Sequence, residues 1–263
     1  MVNIIVPIKD IVDLTELKVD PSTRRPILAG LSRKISDVDK RALEAAVQLK
    51  EKHGGKVTIV SMGDDKTKTA LREALAIGGD EAYLLKDSVF EASDTLATAR
   101  ILASAIRKLG DYNLVLCGEM TLDSLSAQMG PRLGELLGLP QVTYARKLEL
   151  KGETLVAERD LEDEDELVEV SMPALVAVTR EINEPRIPAL MSIMKASRKP
   201  IVEWNCATLG LSTEEVGAAG SAVKVLEVKA PPMERKRIII KAESEEEAAK
   251  SLVERLIKDG VLK

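Results

Sequence analysis

The chain has 263 residues, with 38 lysines and arginines against 43 aspartates and glutamates, a net charge of −5. With 45% apolar and 31% charged residues, it can bury one large core, or one core and a smaller appendage. The acidic balance argues against nucleic-acid partners, aromatic residues at 2% leave few platforms for stacking bases, and no apolar run reaches the roughly 18 residues of a direct membrane span.

The opening MVNIIVPIKD predicts a first strand at 2–7. It has neither a basic lead nor a small-residue cleavage site, so cytoplasm is the expected compartment. Val38, Ala42, Ala45 and Leu49 repeat at the spacing of one helix face over 38–52. Lys56–Ser61 reads as the second strand, 66–77 as a helix closed by Gly78 and Gly79, and Ala82–Leu85 as the third strand. Ser93 or Asp94 caps a helix carrying Leu96, Ala99, Leu102, Ile106 and Leu109 on one side. Leu114–Cys117 is the fourth strand, and 124–137 a helix stopped by Gly138 with Pro140 behind it. Strands separated by helices of this length predict an α/β fold with a Rossmann-like parallel sheet covered on both faces. Ligands on such sheets lie at the carboxyl ends of the strands, here in the loops after Val6, Val60 and Cys117.

Past residue 145 the pattern changes. Leu148 to Val156 alternates around Gly152 like a hairpin, an acidic run follows from Glu158 to Glu169, and Ala174–Val178 is an apolar strand. These read as antiparallel strands added to the sheet. Residues 183–200 carry Pro185, Pro188 and Pro200 and no clean period, which predicts an ordered loop with a short helix. Residues 201–237 read as extended, broken at Gly217, Gly220 and Pro231-Pro232, and Ser244 to Glu247 as a capping box that opens a last helix ending near Gly260. The expected division is an α/β domain over 1–200, including the loop 183–200, and an extended C-terminal arm and helix over 201–263 that wraps a partner.

The stretch NLVLCGEMTLDSLSAQMGP at 113–131 carries the strongest functional signal. An apolar run ends at Gly118, passes through a polar loop, and enters a helix-patterned segment through Asp123, Ser124, Leu125, Ser126, Ala127 and Gln128. Small and polar residues where a strand gives way to a helix leave outward-pointing N–H groups, and the helix dipole favours negative charge there. The place suits a phosphate. It has no Walker lysine and no paired carboxylates, so it suits gripping a nucleotide better than cleaving one. The single histidine, His53, lies in the helix-ending turn EKHGGK, and the only cysteines are Cys117 and Cys206. That removes most hydrolase triads, histidine-rich metal sites and disulfide frameworks, so no catalytic residue and no metal ligand is expected, and any chemistry falls to a bound cofactor.

Four stretches of the chain resemble the β subunit of electron-transfer flavoproteins. They are the opening IIVPIKDIVD; SDVDKRALEAAVQLKE with SMGDDKTKTALREALAIGGDEA; the loop just described; and AERDLEDEDELVEVSMPALVA with NEPRIPALMSIMKASRKPI. In the last pair Ala157, Arg159, Glu162, Asp163, Glu164, Glu166, Val168 and Pro173 fit the family's signature position by position. The resemblance implies an electron-transfer subunit, not an enzyme that breaks bonds alone, that pairs with an FAD-holding α subunit. It implies a Rossmann-like domain binding either a structural AMP or, in electron-bifurcating members, a second FAD that takes electrons from NADH. DSLSAQMGP, close to the D-x-x-T-A-Q-V-G-P form of bifurcating members, and SDTLATA at 93–99 lean toward FAD.

The same resemblance implies site residues. Pro7, Ile8 and Lys9 would offer backbone to the adenine edge, and Ser36 and Asp39, in a run where many members have Asn-Pro-Phe-Asp, would meet the adenosine side. Ser61, Met62 and Gly63 would line the crevice, with Gly63 allowing close backbone approach. Cys117, Gly118, Asp123, Ser126, Ala127, Gln128, Met129 and Gly130 would form the phosphate loop and its base, and Thr95 would touch the flavin ring or ribityl chain. Leu190, with Met191 and Lys195, would dock a dehydrogenase or quinone oxidoreductase partner. Two other readings stay open: a non-redox AMP- or ATP-binding module, and an ATP-pyrophosphatase-type enzyme, whose S-G-G-x-D-S loop after the first strand PIKDIVD lacks.

Overall fold

Short β-rich runs alternating with amphipathic stretches build one mixed sheet with helices on both faces. The computed structural model describes residues 1–232 and 237–262. In chain order the sheet strands are β1 (Val2–Pro7), β2 (Gly55–Met62), β3 (Glu81–Leu85), β4 (Leu114–Gly118), β5 (Gln141–Lys151), β6 (Thr154–Asp160), β7 (Asp165–Ser171), β8 (Ala174–Val178) and β9 (Ile201–Trp204). The helices that flank it are α1 (Asp37–His53), α2 (Thr67–Ile77), α3 (Thr95–Leu109), α4 (Met129–Leu137) and α5 (Leu190–Arg198). Across the sheet the order is β7-β6-β5-β8-β4-β1-β2-β3-β9, with β6 and β7 antiparallel to their neighbours and every other pairing parallel.

The period of two along β1 divides the core. Ile4 and Val6 face one layer with Ala42, Leu43 and Ala46 of α1 and Leu71 and Ala74 of α2. Ile5 faces the other with Ile101, Ala105 and Ile106 of α3 and Leu133 of α4. Burying a side chain such as Ile4 or Leu71 contributes about 1.5–3 kcal/mol, so the two apolar layers fix which helix lies on which face.

Three sequence expectations change. Ala174–Val178 is not an antiparallel addition: β8 lies parallel between β5 and β4, all five residues buried. A continuous apolar run fits a strand covered on both faces, while the alternating, charged β7 keeps the antiparallel arrangement at the sheet edge beside β6. The helix expected from 124 begins at Met129, because Leu125 and Ala127 both take a left-handed backbone with φ of 50°. Beyond 200 the chain first adds β9 to the edge of the sheet and makes one helical turn at Gly217–Gly220.

The main compact unit comprises Met1–Lys18 and Ile27–Val228. A second comprises Val19–Pro26 and the chain from Lys229 onward, where α6 (Glu245–Lys258) is capped by Ser244 Oγ accepting from the Glu247 N–H at 3.2 Å. The Glu247 carboxylate reaches back to the Glu243 N–H, also at 3.2 Å, one residue earlier than the usual capping box. Among the described residues no helix is long and apolar enough to cross a membrane.

Candidate functional site

From β1 the chain steps outward to β2 and β3, then returns to place β4 on the other side of β1. The two strand ends diverge at that reversal, which is where open α/β sheets form a ligand crevice. A cavity of about 440 Å³ opens there. Pro7, Ile8 and Lys9 leave β1 along one wall, Cys117 to Thr121 leave β4 along another, and Thr95 and Gln128 stand at the starts of α3 and α4.

The base of the crevice is tied by one carboxylate. Asp39, on the first turn of α1, is 5% exposed and accepts from the Lys9 N–H at 2.9 Å and the Gly118 N–H at 3.1 Å. It therefore holds the exits of β1 and β4 at a fixed separation. A Cβ on Gly118 would stand 2.7 Å from Asp39 Oδ1, so this approach requires glycine. Burial pushes Asp39 up to about 7, against the pull of the two N–H donors and the Lys9 charge.

Above that base runs the loop 121–128. Thr121 Oγ1 donates to Asp123 Oδ1 at 2.6 Å, and the Thr121 carbonyl accepts from the Ser124 and Leu125 N–H groups. The Lys9 ammonium meets the other Asp123 oxygen at 2.6 Å, so the loop carries its own counter-charge. The left-handed Leu125 and Ala127 cost about 1–3 kcal/mol each, a strain typical of ligand-gripping turns. Their effect is to swing the backbone so that Ser126, Ala127, Gln128, Met129 and Gly130 have no hydrogen-bond partner for their N–H groups among the described residues. The first four of these residues line the cavity. A row of free donors at the start of a helix is chemically an anion cradle.

The start of α3 differs. Asp94 Oδ1 accepts from the Leu96 and Ala97 N–H groups, both at 2.9 Å, while Oδ2 accepts from Ala222 at 2.8 Å and Val223 at 3.0 Å. Thr95, next to it, donates to Gln128 Oε1 at 2.8 Å, and Arg132 Nη2 donates to the same oxygen at 3.0 Å.

The model of the electron transfer flavoprotein domain matches residues 27–209. Similar proteins include the electron transfer flavoprotein subunit beta of Thermoanaerobacterium thermosaccharolyticum, 44% identical over 97% of each chain. That of Megasphaera elsdenii is 35% identical over 99% of this chain and 100% of its own. A third is the caffeyl-CoA reductase-Etf complex subunit CarD of Acetobacterium woodii, 36% identical over 97% of each. The chain belongs to the electron transfer flavoprotein β-subunit family. Its role is electron transfer.

Of the residues the family resemblance singles out, the structure gathers Pro7, Ile8, Lys9, Asp39, Met62, Thr95, Cys117, Gly118, Ser126, Ala127, Gln128 and Met129 on the cavity wall, with Asp123 tied to Lys9 at its edge. Ser36, Ser61, Gly63 and Gly130 lie off it. Ser36 is fully buried with its hydroxyl unpartnered among the described residues, and Ser61 donates to the Ile8 carbonyl at 2.9 Å, bracing the backbone that does reach the cavity. The space a Gly63 Cβ would need is taken by the Thr67 side chain, and that of Gly130 by Ala177 at 3.0 Å, so both glycines serve helix packing. Cys117 is a buried thiol pushed well up by desolvation, hence inert as a nucleophile.

Sequence reasoning in this electron transfer flavoprotein subunit missed Arg132 and Val225. Arg132 is four residues after Gln128 on a helix, a spacing that signals contact. Val225 reaches the cavity because Asp94 clamps the backbone just before it, a pairing 128 and 129 residues apart that leaves no local signal. Leu190, Met191 and Lys195 all fall on α5, away from the cavity. Leu190 is 72% and Met191 63% exposed, beside exposed Ile193 and Met194. The loop before α5 is anchored by Arg186 to Glu44 at 2.8 Å and Glu51 at 2.6 Å, and the helix end by Arg72 donating to the Ala196 carbonyl at 2.7 Å.

Proposed function

We propose that this subunit holds an adenine cofactor in the crevice between β1 and β4, FAD before AMP, and works as half of a heterodimer with an FAD-bearing α subunit. The observation that carries the reading is the row of N–H groups from Ser126 to Gly130, unpaired among the described residues, where the sheet order reverses. Those donors suit a diphosphate without a cation, and Asp39 keeps the Pro7–Lys9 backbone within the same crevice to meet an adenine edge. A bound flavin supplies the one- and two-electron chemistry that no side chain here can. The chain's own part is to bind and orient it: the loop neutralises its anionic link, Lys9 cancels Asp123, and Thr95 stands ready for its ring or ribityl chain.

The FAD reading, with electrons drawn from NADH and split between two acceptors, rests on the loop DSLSAQMGP and on Thr95 at the cavity wall. The same donors would serve the phosphate of a structural AMP, which is the second reading. The exposed apolar face of α5 suits a dehydrogenase or quinone oxidoreductase with an apolar socket, Lys195 steering an acidic rim. The arm beyond 200, with the exposed Val223, Leu226 and Val228, would lie along the α subunit in the cytoplasm.

Co-purifying the heterodimer and identifying its non-covalent cofactors tests this. Two flavins per heterodimer support the first reading, and one flavin with one AMP the second. A colourless preparation, or one flavin with no nucleotide, overturns both.

A further inference from the structure

The chain returns to the crevice mouth late, over residues 216–225, and it is fastened there by a knot of hydrogen bonds at the start of α3. Val216 is 1% exposed in the core. The Gly217 N–H donates to Ser93 Oγ at 3.0 Å, and a Cβ at Gly217 would stand 2.1 Å from the Val89 carbonyl oxygen, so the close approach requires glycine. Arg100 donates to the Gly220 carbonyl at 3.1 Å. Ser221 Oγ accepts from the Asp94 N–H at 2.8 Å and donates to the Gly217 carbonyl at 2.7 Å. The Ala222 and Val223 N–H groups then close the knot on Asp94 Oδ2.

Past Val223 the fastening stops. Lys224, Val225, Leu226 and Val228 lie outside any helix or strand and make no hydrogen bond among the described residues. Val225 lines the cavity and yet is 73% exposed, and Leu226 and Val228 are exposed after it. A fixed root followed by a loose apolar tip is the construction of a lid. Val225 comes two residues after the last clamped N–H, so its reach is at most about 7 Å. The walls it faces include Met62, Leu102 and Met129, apolar surface continuous with any flat ring held between them.

We propose that residues 224–228 form a flap, hinged at the Asp94 knot, that folds over the bound cofactor and sets how long it stays. The inference rests on the adenine-cofactor reading above. Because the knot has already fixed the root, closing the flap orders few further residues, and burying one valine suffices to lengthen residence by about 10-fold. A flap that closes after the ligand has entered acts on escape and leaves entry unchanged. Asp94 is a positioning residue in this device: one carboxylate oxygen caps α3 and the other holds the hinge.

The test uses the full heterodimer, with FAD and AMP as the two probes. Cys117 and Cys206 are both buried, so Val225→Cys puts the one exposed thiol of this chain on the flap. Its labelling by a maleimide, followed at that peptide, should slow by about 10-fold when the stripped heterodimer is reloaded with cofactor. Val225→Ala, which touches no hydrogen bond, should raise the cofactor's dissociation rate by about 3- to 10-fold and leave the association rate within twofold. Asp94→Asn can accept for α3 or for the hinge but not for both, since its NH2 only donates. It should raise the dissociation rate by about 10-fold and remove the cofactor dependence of labelling at Val225→Cys. Labelling that responds to neither probe overturns the flap, and so does a dissociation rate for Val225→Ala within twofold of the parent. A parent heterodimer that retains neither probe on the β side overturns the cofactor reading itself.

Discussion

Two helices begin at the same crevice, and only one of them closes itself. The start of α3 is capped: the Asp94 carboxylate takes two of its N–H groups and two more from the Ala222–Val223 backbone. The start of α4 is open: its N-cap residue Gln128 makes no side-chain cap, and the N–H groups from Ser126 to Gly130 stay unpaired among the described residues. A carboxylate at an N-cap contributes about 1 kcal/mol, so leaving α4 without one forgoes stability at a place that also carries two left-handed residues. The contrast shows how one crevice separates duties. The closed terminus holds structure, and the open one is left for a ligand anion.

The sharpest way to break the contrast is to close the open terminus. Gln128→Asp supplies α4 with the kind of cap Asp94 gives α3, and its charge sits where the cofactor's anion would lie. Loss of β-side cofactor by about 100-fold or more is expected, with the melting temperature held or raised. Retained cofactor would show that the anion binds elsewhere.

Opening the closed terminus should cost stability instead. Asp94→Ala removes the α3 cap and frees the 221–223 backbone, for a loss of about 1–2 kcal/mol, or roughly 2–8 °C in a domain of this size. Hydrogen exchange should rise in two places far apart in sequence, residues 95–98 and 221–225. Exchange confined to α3 would show that the clamp on the later segment carries no weight.

Asp39 adds a pH dependence to the base shared by both termini. Its folded value, pushed up to about 7 by burial, lies above the ordinary 3.8. Between those values the folded protein holds a proton the unfolded chain has released, so Asp39 favours folding most below about pH 4 and progressively less as pH rises toward 7. The same deprotonation improves its acceptance from Lys9 and Gly118, so the crevice is best braced where its stability contribution is smallest. Asp39→Asn should flatten the fall in stability between pH 4 and 7, read by denaturant titration, and an unchanged slope would assign it to other groups.

How much of this is legible in the sequence depends on whether a feature is local. The first strand, the periodic face of α1, the Asp94 cap and the glycine stop of α4 are written in neighbouring residues, and the structure has them within a few positions. The direction of β8 is not: ALVAV announces burial on both faces but not which way the chain runs. Nor is the true start of α4, since Leu125 and Ala127 carry no composition cue for φ of 50°. The crevice's position was inferable from strand order. Its fastening was not, because Asp39 with Gly118 and Asp94 with Val223 join residues 79 and 129 apart.

The smallest expected effect concerns the ion pair at the rim. Lys9 and Asp123 are both partly exposed, so the 2.6 Å contact contributes at most about 1 kcal/mol to folding, and Lys9→Ala should leave the melting temperature nearly unchanged. Its effect on binding should be clearer, because removing the ammonium leaves the Asp123 carboxylate uncompensated beside the open N–H row. A loss of about two- to fivefold in cofactor affinity is expected, larger at low ionic strength, where an exposed charge is least screened. Lys9→Ala combined with Asp123→Asn should recover most of it, since the offending charge is then gone. If the double variant binds no better than Lys9→Ala alone, the ammonium meets the cofactor directly, and the open terminus depends on a cation after all.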